Sequence, residues 1–269
     1  MPDSPTLSDL DRRLDAAEAA AREAGTLALA RFRDVASLAV DRKGLQDVVS
    51  EADREVEALI AERLLARFPD DGFLGEEQGF KPGRGGEAGP VWVVDPIDGT
   101  FCFLKGIPVW SISIGLALGG RCVLGAIVDP NAGEVFTGAL GRGAFLNGRP
   151  IRVAAHESLR EGTVGVGFSH RSPAHELVGF LGRLLEAGGM YQRNGSGALS
   201  LAYVAAGRYV AYYEPHINSW DSVAGLALVE AAGGITNDFL AGNGLMEGNP
   251  IVAAAPGVAR EILEMAGLT

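Results

Sequence analysis

A chain of 269 residues, 47% hydrophobic and 21% charged, holds enough apolar material for a sizeable core in one large or two closely packed units, which excludes intrinsic disorder. Its 38 glycines, about twice ordinary usage, point to many tight turns and close backbone approaches. A net charge of −11 without a Lys/Arg cluster argues against nucleic-acid partners and against an anionic membrane surface. No apolar run reaches the roughly 18 residues of a membrane span, and the start of the chain shows no basic-then-apolar leader. The two cysteines, Cys102 and Cys122, form neither a disulfide framework nor a metal-ligand spacing, so a cytoplasmic protein is expected.

Leu10, Leu14, Ala17, Ala21, Ala24 and Leu27 recur every three or four residues, which predicts an amphipathic helix over the first 34 residues with Ser8 as N-cap. A second helix is predicted over Glu51–Arg67, burying Val56, Leu59, Ile60 and Leu64. Ser50 and Asp53 stand at N-cap and N3 spacing, and Pro69 lies beyond its end. After a glycine-rich loop over 81–89 come strand-like segments at 91–94, Ser111–Leu118, 122–128 and Glu134–Ala139. Gly119-Gly120 and Pro130-Asn131-Ala132-Gly133 separate them as hairpin breakers, so an antiparallel meander is expected. The second half alternates: strand 164–168, helices 174–187 and 196–206, strand 210–213, helix 221–232, strands 234–236 and 251–254, helix 258–266. The class is mixed α and β, with an antiparallel part first and alternation later.

The segment Val91-Trp92-Val93-Val94-Asp95-Pro96-Ile97-Asp98-Gly99-Thr100 carries the most chemistry. An apolar strand ends on Asp95, Pro96 forces a turn, and Asp98 follows, so that the two carboxylates can converge. Two hard carboxylates suit Mg²⁺, which takes oxygen ligands and keeps some waters. The amides of Gly99 and Thr100, opening a short helix, suit a phosphate. Side by side they suggest metal-assisted phosphoryl chemistry. Asp-Pro and Asp-Gly are also ordinary turn dipeptides, but the apolar run before them and Thr-Phe-x-Phe after them argue against a plain surface turn. Gly75-Glu76-Glu77 reads equally as an acidic surface loop, and Asp221, after Trp220 at a helix start, as a cap.

These elements, in the order Gly75-Glu76-Glu77, then Trp92 to Thr100, then Trp220-Asp221-Ser222-Val223-Ala224-Gly225, resemble the inositol monophosphatase family. That family belongs to the lithium-sensitive, Mg²⁺-dependent phosphatases, with fructose-1,6-bisphosphatases as relatives. The resemblance runs over nearly the whole chain and takes in Asp47 to Asp53, Gly195-Ser196-Gly197, Ala211-Tyr212-Tyr213-Glu214 and Glu230 to Gly234. It implies an α+β fold, a layered αβαβα sandwich. An N-terminal α+β subdomain (1–155) would carry most metal ligands, and a C-terminal α/β subdomain (156–269) would complete the site, in a homodimer.

The resemblance also implies two or three Mg²⁺ ions. Glu76, Asp95 and the Ile97 carbonyl match the ligands of a first, Asp95, Asp98 and Asp221 those of a second, and a weaker third is expected near Glu76. Thr100 and Asp53 match the pair that orients and deprotonates the attacking water, with Glu76 beside them. Gly99 and Thr100 match the phosphate contacts, and Glu214, Ser196 and Gly197 those to the alcohol part of the substrate. Lys43 resembles a lysine near the metals. Cys102 departs from the pattern, standing where many members carry Asn, and reads as a small buried hydrophobe.

Glu76, Asp95, Asp98 and Asp221 bring four negative charges. A phosphate meeting them without metal would feel repulsions of about 4 kcal/mol per charge pair at ~4 Å and an effective dielectric near 20. An acidic chain therefore takes an acidic substrate through its metals. The expected reaction is hydrolysis of a small polyol phosphate, inositol 1-phosphate first. Histidinol phosphate is an alternative, because Gly106-Ile107-Pro108-Val109-Trp110 resembles a segment of histidinol-phosphate phosphatases. Fructose 1,6-bisphosphate and adenosine bisphosphate are others, and a metal-dependent anion-binding regulator is the reading outside enzymes. Glu214 suits a substrate hydroxyl or a substrate ammonium equally.

Overall fold

Helix α1 (Leu7–Arg33) leads into a hairpin of β1 (Val40–Gly44) and β2 (Asp47–Ser50), then helix α2 (Glu51–Arg67). The structure, a computed structural model, describes residues 7–35, 40–44, 47–86 and 89–268. Next come β3 (Gly72–Gly75), β4 (Gly79–Lys81), β5 (Val91–Asp98), helix α3 (Thr100–Leu104), β6 (Ser111–Leu118), β7 (Arg121–Asp129), β8 (Glu134–Ala139), β9 (Gly143–Leu146) and β10 (Arg149–Ile151). These strands form an eight-stranded sheet in the order β10-β9-β8-β7-β6-β5-β3-β4. The remainder comprises β11 (Thr163–Val166), α4 (Ala174–Glu186), β12 (Met190–Gln192), α5 (Gly197–Ala205), β13 (Ala211–Ile217), α6 (Ser219–Ala231), β14 (Ile235–Thr236), α7 (Gly244–Glu247), β15 (Asn249–Ala254) and α8 (Pro256–Ala266). Its five strands form a second sheet in the order β12-β11-β13-β15-β14.

Strand alternation sorts the first sheet into two faces. Ile112, Ile114 and Leu116 of β6, with Leu124, Ala126 and Val128 of β7, join the core under α1 and α2. There the small buried stripe Ala17, Ala20, Ala21, Ala24 and Ala28 brings α1 close. The alternate residues Val93, Ala117 and Ile127 face α5 and α6, which fill the space between the two sheets. Buried on nearly every side, α6 has the all-round small and apolar composition of an internal helix. On the far face of the second sheet, Phe180 and Leu184 of α4 and Val258 and Ile262 of α8 cover Val164, Tyr213 and Val252. The result is five layers, helix–sheet–helix–sheet–helix.

Gly115 and Gly125 lie opposite each other in β6 and β7. A Cβ on Gly115 would come 2.7 Å from the Ala224 nitrogen, and one on Gly125 would come 2.7 Å from the Ala224 carbonyl carbon. Bare backbone at both positions lets α6 rest directly on the sheet.

Several sequence expectations need correction. Ser8 lies inside α1, which already includes Leu7, so it is not the N-cap. The β5–β8 meander is antiparallel, but β3 joins β5 in parallel, so the sheet is mixed. β5 does not stop before Asp95 but runs through Pro96 to Asp98. No helix among the described residues is long and apolar enough to cross a membrane.

Candidate active site

Residues three apart on a regular strand point to opposite faces. In β5, Asp95 pairs with Ser113 and Asp98 with Ser111, so Pro96 and Ile97 together oppose the single residue Ile112. This bulge restores the parity and turns Asp95 and Asp98 to the same side. It also places Pro96, which has no N–H, where the ladder is already interrupted. The Ile97 amide donates to Asp95 Oδ1 at 2.9 Å, which fixes the bend.

Asp98 meets the start of α5. It accepts from the amides of Ala198 (2.8 Å) and Gly197 (3.3 Å) and from the Ser196 hydroxyl. Ser196 is also the helix N-cap, accepting from the Leu199 amide at 3.1 Å. Ser196 and Gly197 line the cleft expected for substrate, yet these hydrogen bonds go to Asp98. Asp221 arrives from the first turn of α6, where the Ser113 hydroxyl donates to the Trp220 carbonyl at 3.1 Å. One carboxylate oxygen each from Asp95, Asp98 and Asp221 lies within 4.8 Å of the others. Glu76 stands outside that group. Its amide donates to the Val94 carbonyl at 3.2 Å, and its charge reaches Asp95.

Thr100 opens α3 behind Gly99, whose φ is 95°. Its hydroxyl lies 3.0 Å from the Ile97 carbonyl and 3.3 Å from Asp53 Oδ1. Asp53 is buried on α2, and Phe103 packs against Trp110 and Phe32, with ring centroids 5.0 and 5.3 Å away, holding α3 in place. Beyond Asp221, the parallel strands β11, β12 and β13 end at a cleft, the usual place for a ligand in such a sheet. Glu214 lines it, buried, and accepts from the Tyr212 hydroxyl at 2.6 Å. Tyr212 was not foreseen as a site residue; a Tyr in an apolar strand gives no signal of its own. The side chain of Lys43 lies outside the described residues. Cys102 is buried, and burial raises its thiol pKa, so it stays a thiol.

Burial pushes the Asp95 carboxyl well above its ordinary range, and the charges of Glu76, Asp221 and Asp98 push it further. Burial, then Asp221, takes Asp98 up to about 7, against the hydrogen bonds from Ser196, Ala198 and Gly197. Burial likewise lifts Asp221, and takes Glu214 up to about 8 despite the Tyr212 bond. Three carboxylates with one oxygen each within 4.8 Å of the others offer hard oxygen donors that fit the carboxylate and water chemistry of Mg²⁺.

The pH dependence of the metal-free protein follows. An unfolded Asp titrates near 3.9, while folded Asp98 titrates at about 7. Between these values the folded state holds a proton that the unfolded chain releases. Stability from this group is therefore full below the unfolded pKa and falls as pH rises, by up to about 1.4 kcal/mol per pH unit. Urea midpoints of chelated protein are expected to fall between about pH 5 and about pH 7, less steeply in Asp98→Asn. Equal slopes in parent and variant would remove Asp98 as the cause.

Fold and site thus define a layered α/β protein with an acidic, cation-accepting centre where β5 meets α5 and α6. The sequence matches the inositol monophosphatase family over residues 9–266. It is 39% identical over 248 residues to an inositol-1-monophosphatase of Mesorhizobium japonicum, covering 91% of this chain and 92% of that one. To a Nus factor SuhB of Pseudomonas aeruginosa it is 38% identical over 244 residues, covering 89% and 90%. The structure matches the extragenic suppressor protein suhB of Bartonella henselae with a TM-score of 0.86 at 33% identity, over 94% of this chain and 97% of that one. The chain belongs to the inositol monophosphatase family, a family of Mg²⁺-dependent phosphatases.

Proposed function

We propose that the protein hydrolyses a small polyol phosphate, inositol 1-phosphate first, with Mg²⁺ held by Glu76, Asp95, the Ile97 carbonyl, Asp98 and Asp221. The observation that carries this reading is the convergence of three carboxylates, two buried and one partly buried, with one oxygen each within 4.8 Å, next to a hydroxyl–carboxylate pair at 3.3 Å. When bound, two or three Mg²⁺ supply Lewis-acid polarisation of the phosphoryl oxygens. The Thr100 hydroxyl orients the attacking water, and Asp53 behind it takes up the proton. The Gly99 and Thr100 amides donate to the phosphate. Glu214, steadied by Tyr212, accepts from a hydroxyl of the alcohol part, and Ser196 and Gly197 wall the cleft. The reading takes the protein as a cytoplasmic homodimer without nucleic-acid or membrane partners.

A second reading has its own observation. Arg171 and Arg193 line the same cleft and have no ion pair or hydrogen bond with a described residue. Their charges reach Asp221 and Glu214, and two guanidiniums beside the cleft suit a second phosphate, as in fructose 1,6-bisphosphate, better than the ammonium of histidinol phosphate. The relatives named Nus factor SuhB keep a role without turnover in view.

One panel tests these readings: kcat/KM with Mg²⁺ on inositol 1-phosphate, fructose 1,6-bisphosphate, histidinol phosphate and a generic aryl phosphate, for parent, Glu214→Gln and Glu214→Ala. With a neutral polyol, Glu214→Gln is expected to cost about 1 kcal/mol, the scale of one altered hydrogen bond. With an ammonium substrate it would cost about 2–5 kcal/mol, the scale of a buried charge pair. No turnover of any ester would leave the anion-binding regulator. Identical values for all three proteins on every substrate would make Glu214 a bystander.

A further inference from the structure

We propose that Glu57 is a positioning residue for the acidic centre: it clamps the turn that carries Glu76 and so sets the affinity of that side of the site for Mg²⁺. The proposal rests on the metal-site reading above. Glu57 sits on α2 one turn after Asp53, is 0% exposed, and is not among the residues lining the cleft. Its carboxylate accepts two backbone amides at once, from Glu77 to Oε2 at 2.8 Å and from Gln78 to Oε1 at 2.8 Å. Both amides belong to the short connection between β3 and β4, immediately after Glu76.

The residue before Glu76 fits the same arrangement. A Cβ on Gly75 would lie 2.5 Å from the Glu57 carboxyl carbon, so only glycine leaves room for the carboxylate. On its other side the Glu76 amide is tied to the Val94 carbonyl at 3.2 Å, next to Asp95. The Glu76 backbone is thus bracketed by β5 and by a charged clamp on α2. An interior carboxylate is costly to desolvate. Here it is satisfied by amides that no regular helix or strand partner serves, at the one turn bearing an expected ligand. The face of α2 that brings Asp53 to Thr100 also brings Glu57 to this turn, so one helix registers the proton-accepting pair against the ligand loop.

The test compares parent, Glu57→Gln, Gly75→Ala and Glu76→Gln. Mg²⁺ binding to metal-free protein is read by calorimetry, and the Mg²⁺ concentration for half-maximal turnover is read on an aryl phosphate. Glu57→Gln and Gly75→Ala are expected to weaken Mg²⁺ binding about 10–100-fold, the usual scale for loss of a ligand's supporting partner. Saturating Mg²⁺ should bring kcat back to within about threefold of the parent, as expected for lost ground-state binding of the ion. Parent-like Mg²⁺ affinity in a folded Glu57→Gln, or a kcat that saturating Mg²⁺ does not restore, overturns the proposal.

If Glu57→Gln does not fold, Gly75→Ala is read in the parent and in Glu57→Ala. Its penalty should vanish once the carboxylate is gone, and a full penalty in both backgrounds overturns the clamp. Unchanged affinity in Glu76→Gln would instead overturn the ligand role of Glu76 itself, which separates the failure of the metal-site reading from the failure of this one.

Discussion

Asp95→Asn is expected to abolish Mg²⁺-dependent turnover while leaving a folded protein. The change separates charge from shape. Asn keeps an Oδ1 to accept the Ile97 amide, which now donates to Asp95 at 2.9 Å, so the β5 bend survives. What disappears is the charge that Glu76, Asp221 and Asp98 all face. As the proposed bridge between two ions, Asp95 serves both, so a rate loss of about 10³-fold or more, some 4 kcal/mol in the barrier, is expected. The metal-free variant should in turn be more stable than the parent at neutral pH, because Asn removes a carboxyl whose ionisation burial, and then the neighbouring carboxylates, disfavour. Asp98→Asn should lose mainly the second ion. Turnover and melting temperature over a Mg²⁺ series check the argument, and near-parent turnover in Asp95→Asn would refute the ligand assignment.

Thr100→Ala should lower kcat by about 10²–10⁴-fold, the usual worth of a positioned acid–base group, with little change in KM. Phosphate binding in the proposed mechanism rests on the metals and the Gly99 amide, and neither is removed. Asp53→Asn should show a similar loss, because its carboxylate lies 3.3 Å behind the hydroxyl. The double variant should be no worse than the poorer single one, since the two groups act as a unit. Thr100→Ser, which keeps the hydroxyl and its bond to the Ile97 carbonyl, should recover most of the rate. Fully additive losses would separate the two roles and end the pairing.

Regular periodicity was legible. The bounds of α2, β6 and β8 follow from their apolar spacing and breakers, and the structure places them at those residues. The motif order also pointed to Asp95, Asp98 and Asp221, which the structure brings within 4.8 Å of one another. Other elements left no such trace. The hairpin of β1 and β2 is short and largely polar, and β3, reading Gly-Phe-Leu-Gly, is too short to show a period. The second half of β5 was hidden by Pro96, because a proline argues against a central strand unless a bulge receives it. Glu57 was hidden for another reason. A glutamate in a helix is expected on the solvent side, and only the folded position of the turn after β3 makes it an interior acceptor.

The seating of α6 on Gly115 and Gly125 bears on how the chain assembles during synthesis. Asp95 lies in the first sheet, and Asp221 follows more than a hundred residues later, in a helix that has no resting place except between the sheets. At about 5–20 residues per second, the ribosome releases Asp221 several seconds after Asp95. Until then the first sheet can be covered by α1 and α2 on one side only, with Val93, Ala117 and Ile127 on its other side still bare. Covering that second side and bringing the last carboxylate to the other two are the same event. A nascent chain therefore has no complete acidic centre to offer a cation before its own core is closed.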